Sequence, residues 1–238
     1  MKVKAVLASG FLMVVLLLGL FVGNNLYHKA DQDSGTKEQI SMLASAYGGE
    51  PYVKVNGNVP FFDDNEITTE SFEFYSELDS LGRCGVTFAN ISKELMPTED
   101  RDEIGMIKPS GWHTVKYPDV IEDLYLYNRC HLIGYQLSGE NANEKNLITG
   151  TRYLNVEGML PFENEVAAYV RRTGNHVLYR VTPVFEGDNL LAEGVLMEAY
   201  SVEDEGRGVC FCVFVYNVQP GIEIDYKTGK SKAAQSVI

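Results

Sequence analysis

Four histidines are the first residues to weigh for chemistry at neutral pH, because an unperturbed imidazole titrates near 6.5 and can take up or release a proton there. His28 falls in a polar stretch, His113 in a loop beside Trp112, and His176 at the start of a strand after a Gly-Asn turn. His131 is placed differently. It closes the run "DLYLYNRCH", follows Arg129-Cys130, and leads toward the Asn-rich loop "SGENANEKN". A base at the end of a strand, with an arginine close by, suits work on an anionic substrate.

The elements that must hold these residues follow from patterning. "PYVKV" and "VPFF" read as short extended pieces about an Asn56-Gly57-Asn58 turn, and 66–81 as an acidic helix burying Phe72, Phe74, Tyr75 and Leu78. "CGVTFANIS" (84–92) and "DLYLYN" (123–128) read as strands, the second stopping at Arg129-Cys130-His131, with a Pro- and Gly-bearing charged loop over 96–111 between them. The clearest helix begins at Pro161, has Glu163 and Glu165 in its first turns and Arg171 and Arg172 in its last, and ends at Gly174. Its expected apolar face is Phe162, Val166, Tyr169 and Val170. Strands follow at 177–185, 190–200 and 209–218, and the polar tail after Tyr226 reads as loose. One α+β domain dominated by antiparallel sheet is the expected class.

"LYNRCHLIGYQLSGENANEKNLITGTRYLNVEGMLPFE" resembles the DNA/RNA non-specific endonucleases with a ββα-metal (His-Me finger) site, in particular the Gram-positive branch of DNA-entry nucleases and streptococcal DNases. That family carries Asp-Arg-Gly-His at the end of a strand and, further on, the phrase N-L-x-x-G-T-R-x-x-N. This chain has Asn128-Arg129-Cys130-His131 and Asn146-Leu147-Ile148-Thr149-Gly150-Thr151-Arg152-Tyr153-Leu154-Asn155. The likeness covers roughly residues 80–220.

The resemblance implies a ββα-metal nuclease fold with a central antiparallel sheet and flanking helices. It implies His131 as general base, Asn155 as the side chain that holds Mg²⁺ (or Mn²⁺ in its place), and hydrolysis of DNA and RNA leaving 5′-phosphate ends. Arg129 is the motif arginine and a candidate for phosphate contact. Glu163, eight residues after Asn155, stands where relatives place an acid beside the metal, although a carboxylate at a helix N-terminus is also favoured for its own sake. Arg152 is a further candidate for phosphate, and Arg171 or Arg172 is a candidate to replace a family arginine whose position here is Ala167. Asn128 and Asn146 are expected to support the motif rather than react. Asn128 in place of Asp and Cys130 in place of Gly are departures, since Cys needs more room and does not relax easily to φ > 0. They leave open an alternative, a catalytically weakened nuclease-fold module that only binds at a surface.

Composition bounds the rest. The chain has 238 residues and a net charge of −13, with 20 Lys and Arg against 33 Asp and Glu, which excludes nucleic-acid binding by overall charge. Residues 101–180 carry nine basic and ten acidic residues, so the motif region is nearly neutral on an acidic body. Ala5–Val22 is an apolar run after Lys2 and Lys4, long enough to span a bilayer. It is expected to act as a membrane anchor, or else as a cleaved signal, over residues 1–23. A polar tether (24–50), a nuclease domain (51–226) outside the cytoplasm and a flexible tail (227–238) complete the expected organisation. The four cysteines, Cys84, Cys130, Cys210 and Cys212, match no zinc spacing and read as small buried apolar residues.

Overall fold

The computed structural model describes residues 47–235. The expected anchor at Ala5–Val22 and nearly all of the tether lie outside them. Among the described residues, no helix is long and apolar enough to cross a membrane.

The centre is a six-stranded antiparallel sheet in the order β1-β8-β7-β6-β3-β2. Its strands are β1 (Tyr52–Lys54), β2 (Phe72–Tyr75), β3 (Thr87–Ile91), β6 (Val177–Val184), β7 (Gly194–Ser201) and β8 (Cys210–Tyr216). A separate antiparallel pair, β4 (Tyr127–His131) with β5 (Leu147–Thr151), feeds a long helix. A one-turn helix, α1 (Tyr135–Ser138), lies between those two strands, and a π-helical stretch (Leu154–Met159) runs into α2 (Leu160–Thr173).

Period-two alternation divides the sheet into two faces. Val177, Tyr179 and Val181 of β6, with Val195, Met197 and Ala199 of β7, join Val166, Ala167 and Val170 of α2 in the main core. The β4–β5–α2 unit is therefore seated on that face. On the opposite face Arg180 makes a two-pronged pair with Glu198, Nε to Oε2 at 2.7 Å and Nη2 to Oε1 at 3.0 Å. Glu198 is only 1% exposed and also accepts the Phe61 amide at 2.8 Å, while Arg180 lies 4.7 Å from the Phe62 ring centroid. This buried pair fastens the irregular segment 59–67, where "VPFF" forms no strand.

Three further expectations are corrected. The acidic stretch 66–81 contains no helix; "FEFY" is β2, paired with β3 in the register Phe74↔Phe88. Phe74 is 53% exposed, as one side of a half-covered edge strand must be. The strand expected at 123–128 starts later, because Leu124 adopts φ 70° and closes a turn. Strand β4 consequently carries Arg129, Cys130 and His131 within it. The tail is not loose: β9 (Ile222–Asp225) and β10 (Lys230–Ala233) form a hairpin whose turn closes with Gly229 N–H on the Asp225 carbonyl at 2.7 Å.

The helix end signals hold at the C-terminus, where Gly174 sits at φ 78° and donates to the Val170 carbonyl. At the other end helical backbone already begins at Arg152, so Pro161 stands inside the helix. All four cysteines are free, and Cys84, Cys130 and Cys212 are buried.

Candidate active site

The two motifs meet because β4 and β5 are partners and the helix follows directly on β5. Asn128 lies opposite Gly150 and His131 opposite Leu147 in the register. Asn146 cinches the turn beyond His131: fully buried, it accepts the Ile133 amide at 2.8 Å and donates to the Ile133 carbonyl at 3.0 Å.

Asn155 is brought into place by the π-helical stretch. On a regular α-helix, residues eight apart diverge by about 80° around the axis. The wider π turn absorbs an extra residue, which brings Asn155 and Glu163 to nearly one side. Both line one cleft of about 640 Å³ with Asn128, Arg129, His131 and Arg101. The Asn155 amide nitrogen donates to Asn128 Oδ1 at 3.2 Å. That contact leaves the Asn155 amide oxygen as its free acceptor, so Asn128 orients the amide as an Asp would.

His131 is 7% exposed, and its Nε2–H donates to the Asn141 carbonyl at 2.8 Å. This fixes the tautomer with the lone pair on Nδ1. Nδ1 faces Arg101, whose Nη2 stands 3.4 Å away. Burial, reinforced by the Arg101 charge, pushes the imidazole pKa down to about 4. The ring is neutral at neutral pH. Nothing in the residue types near His131 pointed to these partners: Asn141 acts through its backbone, and Arg101 is one cation in the acidic run "TEDRDE" thirty residues upstream.

Glu163 has its carboxyl group pushed up to about 7 by desolvation. Space for it depends on Gly134, where a Cβ would stand 2.7 Å from the carboxylate. A carboxylate left with so little counter-charge, beside a neutral amide oxygen, is a hard oxygen donor set suited to Mg²⁺ or Mn²⁺ with water filling the other positions. Among the described residues no group of three or more His, Cys, Asp or Glu gathers to form a closed site.

Arg129 lines the cleft but is already engaged. Its Nη2 donates to the Gly105 carbonyl at 2.8 Å, its Nε to the Ile107 carbonyl, and its guanidinium lies 4.0 Å from the Trp112 ring centroid. It ties the 105–112 loop to the strand. Arg152 pairs with Asp123, and Arg171 and Arg172 project from the far end of α2, about 24 Å of helix rise beyond Asn155. These three are not among the residues lining the cleft. Cys130 causes no backbone strain, since its φ is not positive, and its thiol fills space above Gly150.

Comparisons with known proteins bear on the family and the fold. A family model described as DNA/RNA non-specific endonuclease matches residues 63–203. A deoxyribonuclease of Streptococcus dysgalactiae subsp. equisimilis is 32% identical over 110 residues, 44% of this chain and 32% of that protein, so the match spans about a third of the relative's length. NucA of Streptococcus agalactiae with a magnesium ion bound superposes with TM-score 0.69 at 22% identity, over 81% of this chain and 95% of that one. The Sda1 nuclease with a bound zinc ion gives 0.64 at 26% identity, over 78% and 97%. With the family model spanning more than half of the chain, this protein belongs to the DNA/RNA non-specific endonuclease family.

Proposed function

We propose that this protein is a divalent-cation-dependent endonuclease that hydrolyses DNA and RNA without sequence preference. The observation that carries the reading is the convergence, in one cleft, of a buried neutral imidazole with its tautomer fixed, an oriented amide oxygen and the Arg101 guanidinium. Phosphodiester hydrolysis needs those three functions. His131 Nδ1 accepts a proton from the attacking water, and the Asn141 carbonyl holds the ring as it becomes positive. Before that, Arg101 must leave Nδ1, and the non-bridging phosphate oxygens are the natural partners for its forked donors. Asn155 and Glu163 would hold Mg²⁺, with Mn²⁺ able to substitute. When bound, the cation supplies charge stabilisation to the phosphate and the departing 3′-oxygen. Cleavage on that side leaves 5′-phosphate ends.

The NucA and Sda1 structures were solved with magnesium and zinc respectively, which supports a divalent requirement here. The apolar N-terminal run and the relatives described as extracellular nucleases support a site of action outside the cytoplasm, with the run as anchor or signal. The test is incubation of the purified chain with supercoiled plasmid and with RNA, in Mg²⁺ or in EDTA, beside the His131→Ala variant. Nicking and degradation are expected only for the parent chain with metal. Intact substrate in long incubations at low salt would refute the enzyme reading and leave the binding-module alternative.

A further inference from the structure

We propose that Tyr125 and Lys116 form a subsite for an unpaired nucleotide adjoining the scissile phosphate; the proposal rests on the nuclease reading of the cleft. Tyr125 lines the same cleft as His131 and Asn155, yet the residue is 41% exposed. It stands on a short ribbon, held by Tyr117 N–H on the Leu124 carbonyl at 2.8 Å and Leu126 N–H on the Val115 carbonyl at 3.1 Å. The neighbours Ile121 and Leu126 turn inward to a small core with Leu191 and Ile222, so the ring is presented from a packed base. Leu124, immediately before it, is held at φ 70°, a conformation disfavoured for a residue with a side chain. A solvent-facing aromatic kept at the mouth of a catalytic cleft by such a turn is placed for contact with a ligand.

The second half of the subsite is the Lys116 ammonium, 4.6 Å from the Tyr125 ring centroid and bridged to it through the backbone. A cation on an exposed ring face is weakly held. An ammonium is a rotatable point charge on a flexible stem, and a phosphate is a better partner for it than the ring. Entry of a nucleotide would exchange partners: the base takes the ring face, and Lys116 moves to the adjoining phosphate. Every base has a π-face, so such a contact adds affinity without reading sequence. Bases inside a duplex have both faces covered by their neighbours, and reaching Tyr125 would require extrusion at an energetic cost. The subsite therefore discriminates by strandedness and favours single-stranded DNA, RNA loops and frayed ends.

The test compares the full chain with Tyr125→Ala, Tyr125→Phe and Lys116→Ala on one oligonucleotide, single-stranded or annealed to its complement. Tyr125→Ala should raise KM for the single strand roughly tenfold with kcat unchanged, and leave KM for the duplex within about twofold. Tyr125→Phe should behave as the parent. Lys116→Ala should raise KM for the single strand less and flatten its salt dependence. Binding of a single strand bearing 2-aminopurine, followed in EDTA, gives a readout that needs no cleavage: quenching on binding should be lost in Tyr125→Ala. Quenching without cleavage would support the subsite and refute the nuclease reading. Cleavage with equal effects of Tyr125→Ala on both substrates, or quenching unchanged in that variant, would overturn the subsite alone.

Discussion

His131 and Asn155 sit in one cleft but do different work, and substitutions should separate them. His131→Ala removes the base and leaves the cation donors, so turnover should fall by about 10²–10⁴-fold while DNA still binds. Added imidazole should restore part of the rate. Asn155→Ala should respond to raised Mg²⁺ and not to imidazole; the reverse pattern would show the two roles exchanged. A pH prediction follows from the depressed imidazole. Because its pKa lies near 4, His131 stays unprotonated, and able to act, well below the pH at which an ordinary histidine titrates. At Mg²⁺ concentrations high enough to keep Glu163 ionised, the acid limb of kcat/KM should lie far below 6.5 and move upward in Arg101→Ala, which removes one cause of the depression. An acid limb near 6.5 in both proteins would contradict this. Cys130 fills a buried space above Gly150 and is not among the residues lining the cleft. Cys130→Gly should therefore leave kcat and its insensitivity to reductant as they are. It should lower stability by about 1–3 kcal/mol through lost packing and added chain entropy, measured by urea unfolding. A large loss of kcat at full folding would assign the thiol a role.

At the scale of elements, the C-terminal hairpin supports the substrate side of the cleft. Tyr127, in the strand that carries the motif, donates from its hydroxyl to the Gly229 carbonyl at 2.9 Å, and Tyr117 bonds Ser231 through their hydroxyls at 2.8 Å. His113 reaches the Thr228 carbonyl at 2.9 Å, and Ile222 and Ile224 close the small core under the Tyr125 ribbon. Deleting 222–238 should leave the six-stranded sheet folded, with its circular-dichroism spectrum retained. Proteolytic cleavage within 113–126 should become fast and KM should rise. Unchanged protection of that loop would show that the hairpin carries none of its order. The hairpin was hard to read because its strands are four residues each: Ile222 and Ile224 alternate with Glu223 and Asp225 in β9, but β10 (KSKA) is polar and offers no matching pattern. The acidic segment at 66–81 misled for a related reason. "FEFY" fits a helix face or a strand edge equally well, and pairing with β3 decides the matter.

For the whole molecule, charge sets how substrate is held. The chain carries −13 overall, so a polyanion is attracted only locally, by Arg101 and the few cations near the cleft. KM for DNA should rise steeply between about 50 and 200 mM salt, as counterion release requires, while kcat changes little. A salt-independent KM would mean that phosphate contacts contribute little to binding.

Fold class and chemical inventory are legible in the amino-acid sequence. Alternating strands at 177–218, the capped helix ending at Gly174 and the two spaced motifs are local patterns, and local patterns survive without the fold. The sequence also marked His131, Asn155 and Glu163, through the resemblance of the two motifs and the residues after them to those of the family. Only the tertiary structure decided which cations face the cleft. Arg129, Arg152, Arg171 and Arg172 were the phosphate candidates legible in the sequence, yet three of them do not line the cleft and Arg129 is largely spent on loop carbonyls, while Arg101 faces His131. A guanidinium at the end of a long side chain can serve a phosphate, a carboxylate or a carbonyl alike. Its partner is chosen by what the folded chain brings within reach, and the spacing of residues along the chain does not contain that information.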